Sequence, residues 1–145
     1  MLFRSLVVLD TNVVSEPIKP NGHPAVRAWL DQQVAETLYL TTTSLSELLL
    51  GVEILPDGKR KEGLSTALDE LIQRLFESRI LPFDQEAARA YAPLVARARS
   101  VGQTISVADG QIAAVASQHG FTVATRDVGP FAAAGLSVIN PWETA

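Results

Sequence analysis

The chain has 145 residues, 47% apolar and 19% charged, which suffices for one domain with a packed core over residues 1–145 and excludes a disordered segment. It contains no cysteine, so disulfides, thiolate metal sites and cysteine nucleophiles are excluded. A net charge of −4 speaks against an extended DNA-binding face, although carboxylates gathered in one cleft can be offset by bound cations.

Residues 6–9 (Leu-Val-Val-Leu) form the apolar run of a strand buried on both faces. Asp10 ends that run, which is too short for the core of a signal peptide. A short helical turn is expected before Pro17, then a loop punctuated by Pro20, Gly22 and Pro24. A helix from Pro24 to about Gln33 sets Val26, Trp29 and Leu30 on one face, and residues 38–40 read as a second strand. Ser44-x-x-Glu47 then opens a strongly apolar helix to about Leu55, which Pro56-Asp57-Gly58 breaks. Lys59-Arg60-Lys61 reads as a short basic loop. Leu64, Leu68, Leu71, Ile72, Leu75 and Phe76 fall at helical spacing.

Residues 80–83 give a third strand, and Asp84 caps a helix carrying Ala88, Tyr91, Val95 and Ala98, with a kink expected at Pro93. Ser106 starts another helix, through Ile112, Val115 and Ala116, closed by Gly120. Strands at 121–124 and 136–139 complete the chain. Strands alternating with helices imply an α/β fold, a mostly parallel sheet flanked by helices. No stretch approaches the roughly 20 apolar residues needed to cross a bilayer, so a soluble, cytoplasmic protein without membrane attachment is expected.

In such sheets ligands bind at the carboxyl ends of the strands. Asp10 follows the first strand directly, and Asp127 lies just past the fourth. Glu47 and Asp109 each lie in the first turn of a helix that begins at the same edge. Four acids from separated segments are thus expected at one place, where they would raise each other's pKa values. A divalent cation removes that conflict, and hard oxygen ligands without histidine or cysteine select magnesium or manganese over zinc. Each acid also has a structural reading. Ser44-x-x-Glu47 matches a capping box, Ser106-x-x-Asp109 is a weaker copy, and Asp127 is an ordinary turn residue. Asp10 is harder to explain so, because an acid ending a buried strand needs a partner.

The segments Leu9-Asp10-Thr11-Asn12-Val13-Val14-Ser15-Glu16, Ser46-Glu47-Leu48 with Gly51, Ala108-Asp109-Gly110-Gln111-Ile112-Ala113-Ala114 and Thr125-Arg126-Asp127 resemble the PIN-domain ribonucleases. Within them the chain is most similar to the VapC-type toxins of bacterial type II toxin–antitoxin systems, in the FitB-like branch. The likeness extends to residues 80–84 and to Asn140-Pro141-Trp142. It implies a three-layer α/β/α sandwich and magnesium- or manganese-dependent endonucleolytic cleavage of RNA by a metal-activated water. By position, Asp10 and Asp109 become the principal metal ligands, Glu47 and Asp127 complete a catalytic acidic cluster, and Asn12 and Thr125 orient the ligands. Arg126, Arg4 and Lys59, Arg60 and Lys61 are candidates for phosphate contacts, or else solvated surface charge.

The resemblance also implies a cognate antitoxin as inhibitory partner, with a link to operator DNA, and a homodimer. Trp29, Leu45, Leu48, Leu49, Tyr91 and Trp142 are candidates either for that dimer face or for the core. An alternative of another class is a non-catalytic module whose acidic cleft captures a basic partner segment, by charge-assisted contacts such as a bidentate arginine. Phosphatases of the haloacid-dehalogenase type also begin with an aspartate after the first strand. They need a second aspartate two positions later, and here Asn12, which cannot donate the required proton, stands in its place. Response-regulator receivers cluster acids at a sheet edge too, but Glu47 and Asp109 at helix starts fit them poorly.

Overall fold

The computed structural model describes residues 5–143. Arg4 lies outside the described residues. Five strands, β1 (Val7–Leu9), β2 (Leu38–Thr41), β3 (Ile80–Leu81), β4 (Thr122–Ala124) and β5 (Val138–Ile139), form one sheet in the order β3-β2-β1-β4-β5. Every pairing is parallel, with Val8 opposite Tyr39 on one side and Val123 on the other. Helices α1 (Thr11–Ser15), α2 (Pro24–Gln32), α3 (Thr42–Glu53), α4 (Lys59–Phe76), α5 (Gln85–Ser100), α6 (Val107–His119) and α7 (Val128–Ala133) connect the strands. The result is the three-layer α/β/α arrangement expected of strands that alternate with helices.

The two-residue period of a strand divides the core. Val7 and Leu9 join Val13, Val14, Val26, Trp29, Leu48, Leu68 and Phe76 on one face of the sheet. Val8 turns to the other face with Ile112, Ala113, Val123 and Phe131. A third cluster, Val95, Ala98, Ile105 and Ala134, fills the space between α5 and α7. Gly110 lets α5 and α6 approach, because a Cβ there would stand 2.7 Å from Tyr91 Cε2 and 3.1 Å from Val95 Cγ2. Gly120 closes α6 in the left-handed conformation, with φ 72°.

Three local readings differ from the structure, and one open choice is narrowed. The helix expected to open at Ser44 starts two residues earlier, because the Thr41 hydroxyl at the end of β2 accepts from Ser44 N at 3.0 Å. Glu47 is therefore not the partner in a capping box. Residues 59–61 are the first turn of α4, not a loop. Lys61 reaches back to Glu53 O at 2.9 Å and Asp57 Oδ1 at 3.3 Å, bridging the turn between α3 and α4. Helix α7 was not expected; Pro130 stands in its first turn, where proline is tolerated because its missing N–H is not needed. Of the residues assigned either to a dimer face or to the core, Trp29 and Leu48 are buried in the core, whereas Leu49 is 47% exposed.

Candidate active site

In the order β3-β2-β1-β4-β5, successive strands run outward from β1 in one direction and then restart at β4 in the other. The seam between β1 and β4 is thus the switch point of the sheet, where helices diverge and leave a crevice at the carboxyl ends of the strands. Asp10 leaves β1 at this seam and caps α1: its Oδ1 accepts from Thr11 N at 2.8 Å. Its Oδ2 accepts from Thr125 Oγ1, also at 2.8 Å, and only 3% of the residue is exposed. Thr125, fully buried just past β4, uses the same oxygen to accept from Asp127 N at 2.9 Å. One hydroxyl thereby ties the first acid to the backbone of the last.

Glu47 is exposed in α3, and the Thr11 hydroxyl donates to its Oε1 at 2.7 Å while lying 3.0 Å from Ser44 Oγ. Asp109 is half-buried in the first turn of α6, whose cap is Ser106, the hydroxyl accepting from Asp109 N at 3.1 Å. Thr43 Oγ1 donates to Gln111 Oε1 at 2.9 Å and fastens the start of α3 to α6.

The charges of these acids act on one another. Burial pushes the Asp10 carboxyl up to about 6, against the pull of the Thr125 hydroxyl and Thr11 N–H, and the charges of Asp109 and Glu47 push it further. Asp109 is raised by burial first, then by the charges of Asp127 and Glu47, with the Ser106 hydrogen bond opposing. Asp10, Glu47, Asp109 and Asp127 thus share one field. They are not drawn into a tight cage: among the described residues no three acidic or histidine side chains stand close enough to surround one ion. A hard dication still fits, because magnesium commonly takes one or two carboxylates and keeps several waters. The donors are all carboxylate or hydroxyl oxygens, and a carboxyl raised by burial and further by like charges is relieved by positive charge.

Thr125 stands where a ligand-orienting residue was expected. Asn12 does not touch Asp10: its carbonyl accepts from Ser15 Oγ, and its buried Oδ1 has no partner. Thr11, which sequence reasoning passed over, makes the hydrogen bond that orients Glu47. Of the expected phosphate contacts, Lys61 is occupied by the α3–α4 turn, and Arg126 lies over Trp142 at 5.3 Å from the ring centroid.

A PIN-domain family model matches residues 7–135. The chain is 49% identical over 140 residues to the VapC ribonuclease Y4jK of Sinorhizobium fredii, covering 97% of this chain and 100% of that protein. It is 48% identical to the toxin FitB of Neisseria gonorrhoeae, with 94% and 99% covered. The crystal structure of FitAcB from Neisseria gonorrhoeae superposes with a TM-score of 0.89 at 48% identity, over 95% of this chain and 99% of that one. The structure of FitAB bound to a DNA fragment, IR36, gives 0.90 at 46%, over 96% and 97%.

Proposed function

This chain belongs to the PIN-domain family, and from that premise we propose that it is a magnesium-dependent endoribonuclease, the toxic member of a toxin–antitoxin pair. The observation that carries the reading is the meeting of Asp10 and Asp109 at the switch point. Both are raised by burial and by neighbouring carboxylates. A site that concentrates negative charge in a half-dry crevice is useless for binding RNA unless a cation occupies it, and well suited to RNA cleavage once one does.

Asp10 and Asp109 would hold the ion. When bound, it supplies Lewis-acid stabilisation of the charge that builds on the phosphoryl group. The residues do the rest. Thr125 fixes the Asp10 carboxylate with one oxygen toward the hydroxyl and the other toward the start of α1. Thr11 holds Glu47 with a carboxylate oxygen free for an incoming water, and Glu47 or Asp127, both exposed, can accept that water's proton. The burial of Asp10 and Thr125 at the edge of the sheet strengthens the bond between them.

The natural partner is a cognate antitoxin, as in the FitAB complexes, and through it operator DNA. Pairing of two copies of the chain accords with this family. Among the described residues no helix is long and apolar enough to cross a membrane; we place the protein in the cytoplasm, where its RNA substrate is. The alternative of a purely binding cleft is not favoured, since relatives 48–49% identical carry ribonuclease and toxin names. The test is cleavage of RNA by the purified chain with magnesium, with chelator, and with D10N or D109N. Cleavage that survives chelation, or that both variants retain, refutes the proposal.

A further inference from the structure

Ser44 is fully buried near the start of α3. A hydroxyl out of water is costly unless it is hydrogen-bonded, and alanine would suit a buried helix position better. Among the described residues the one side-chain partner of this hydroxyl is Thr11 Oγ1, 3.0 Å away. Thr11 has a second partner, the Glu47 carboxylate at 2.7 Å. A threonine hydroxyl carries one proton, and a carboxylate only accepts. Thr11 therefore spends its proton on Glu47, and the proton between Ser44 and Thr11 is the serine's. Both hydroxyls donate in one direction, from Ser44 to Thr11 and from Thr11 to Glu47.

The far end of this chain of hydroxyls is anchored in the sheet. Ser44 N donates to Thr41 Oγ1 at 3.0 Å, and Thr41 is fully buried as the last residue of β2. Thr11 follows Asp10 at the end of the neighbouring strand β1, and its N–H donates to Asp10 Oδ1 at 2.8 Å. One residue thus serves two carboxylates, Asp10 by its backbone and Glu47 by its side chain. The backbone bond survives any side chain at position 11, whereas the other depends on the rotamer of Thr11. Threonine in a helix divides between two χ1 rotamers, and the Ser44 hydroxyl favours the one that reaches Glu47. Glu47 needs that support, because it is exposed and a long exposed side chain changes rotamer freely. The three-residue spacing of Ser44 and Glu47 sets both on one face of α3, where they meet Thr11 instead of a backbone N–H.

We infer that Ser44 is a positioning residue: acting through the Thr11 hydroxyl, it holds the Glu47 carboxylate in place for the cleavage step. This rests on the ribonuclease reading and deepens it. Ser44 itself is out of reach of RNA, since none of its surface is exposed. Its influence passes through one atom, Thr11 Oγ1, and that makes it separable from a simple tie between α1 and α3. A tie shows its loss in stability. Positioning shows its loss in turnover, and only while Thr11 is present to transmit it.

The test is a double-mutant cycle of wild type, S44A, T11V and S44A/T11V. Its readouts are cleavage of a single-stranded RNA oligomer in magnesium, manganese affinity by calorimetry, and thermal unfolding in EDTA. S44A should lower kcat about tenfold, the effect of a slightly misplaced catalytic group, with KM and manganese Kd within about twofold of wild type. T11V should lower kcat at least as far, and S44A/T11V no further than T11V, because the serine acts only through the threonine. Stability should run the other way. T11V leaves the buried Ser44 proton without an acceptor and should melt about 5 °C below wild type. S44A/T11V should melt above T11V while cleaving no faster. An S44A kcat equal to wild type, losses that multiply in the double variant, or turnover that recovers together with the melting temperature would each overturn the inference. If wild type cleaves no RNA, the nuclease reading fails and unfolding alone judges the chain of hydroxyls: a Tm regained in the double variant upholds it, and additive losses refute it.

Discussion

Asp10→Asn should make the metal-free protein more stable at neutral pH while removing its activity. The Asp10 carboxyl moves from 3.8 to about 6 on folding, roughly two units, each worth about 1.36 kcal/mol, so the ionised side chain costs the fold about 3 kcal/mol. The sign follows from proton counting. The folded state holds this proton more tightly than the unfolded chain, so stability is greatest below about 3.8, falls as pH rises through the window to 6, and stays low above it. An amide of the same shape never pays that cost. Its amide nitrogen, however, cannot accept from the Thr125 hydroxyl as Oδ2 does, and leaving that hydroxyl without its acceptor costs about 1 kcal/mol.

The net gain is about 2 kcal/mol at pH 7.5, or about 6 °C in Tm for a chain of this size. The assay is thermal unfolding in EDTA from pH 4 to 8, repeated with manganese. The variant should melt above wild type at pH 7.5, the gap should close toward pH 4, and added metal should stabilise wild type but not the variant. A variant that melts below wild type at pH 7.5, or a gap that does not change with pH, would refute the reasoning.

Thr125→Val removes the donor to Asp10 and the acceptor for Asp127 N together. It should cost about 1–3 kcal/mol and move the acidic limb of the cleavage pH profile upward, measured by unfolding and by initial rates. In wild type at limiting magnesium that limb should fall off below about pH 6, as the proton on Asp10 competes with the metal, and a rate flat from pH 5 to 8 at limiting magnesium would contradict it. Gly110→Ala brings a methyl against Tyr91 and Val95 and should destabilise by about 1–3 kcal/mol. Trimming Val95 to alanine in the same chain should return part of the loss, which a double-mutant cycle would reveal.

The sheet and its large helices were legible because their signals are local and redundant: a four-residue apolar run, helical spacing over α4, Asp84 and Ser106 as caps, Gly120 as a stop. Where the helix α3 begins was not. Residues 41–44 are Thr-Thr-Thr-Ser, four capping hydroxyls in a row, and only the end of β2 selects Thr41. The basic triplet was misplaced because it follows the Pro56-Asp57-Gly58 break directly, and three cations are disfavoured at a helix start. What overrides it for Lys61 is a carbonyl and a carboxylate from across the turn. The four acids were readable from their places after strands and at helix starts. Thr11 was not, since its bond to Glu47 spans 36 residues and nothing in either neighbourhood announces it. Asn12, expected to orient the metal ligands, keeps an unpartnered oxygen.

The bond between Thr125 and Asp10 joins residues 115 positions apart, and β1 must pair with a strand made near the end of synthesis. A ribosome that has delivered α1 to α5 has therefore produced a chain carrying half of the acids and none of the crevice. Translation that stops early, or a message damaged toward its 3′ end, yields a harmless fragment. The cell's exposure to a destructive product begins only when the last quarter of the polypeptide has emerged, which leaves a newly made inhibitor the whole elongation time in which to be ready.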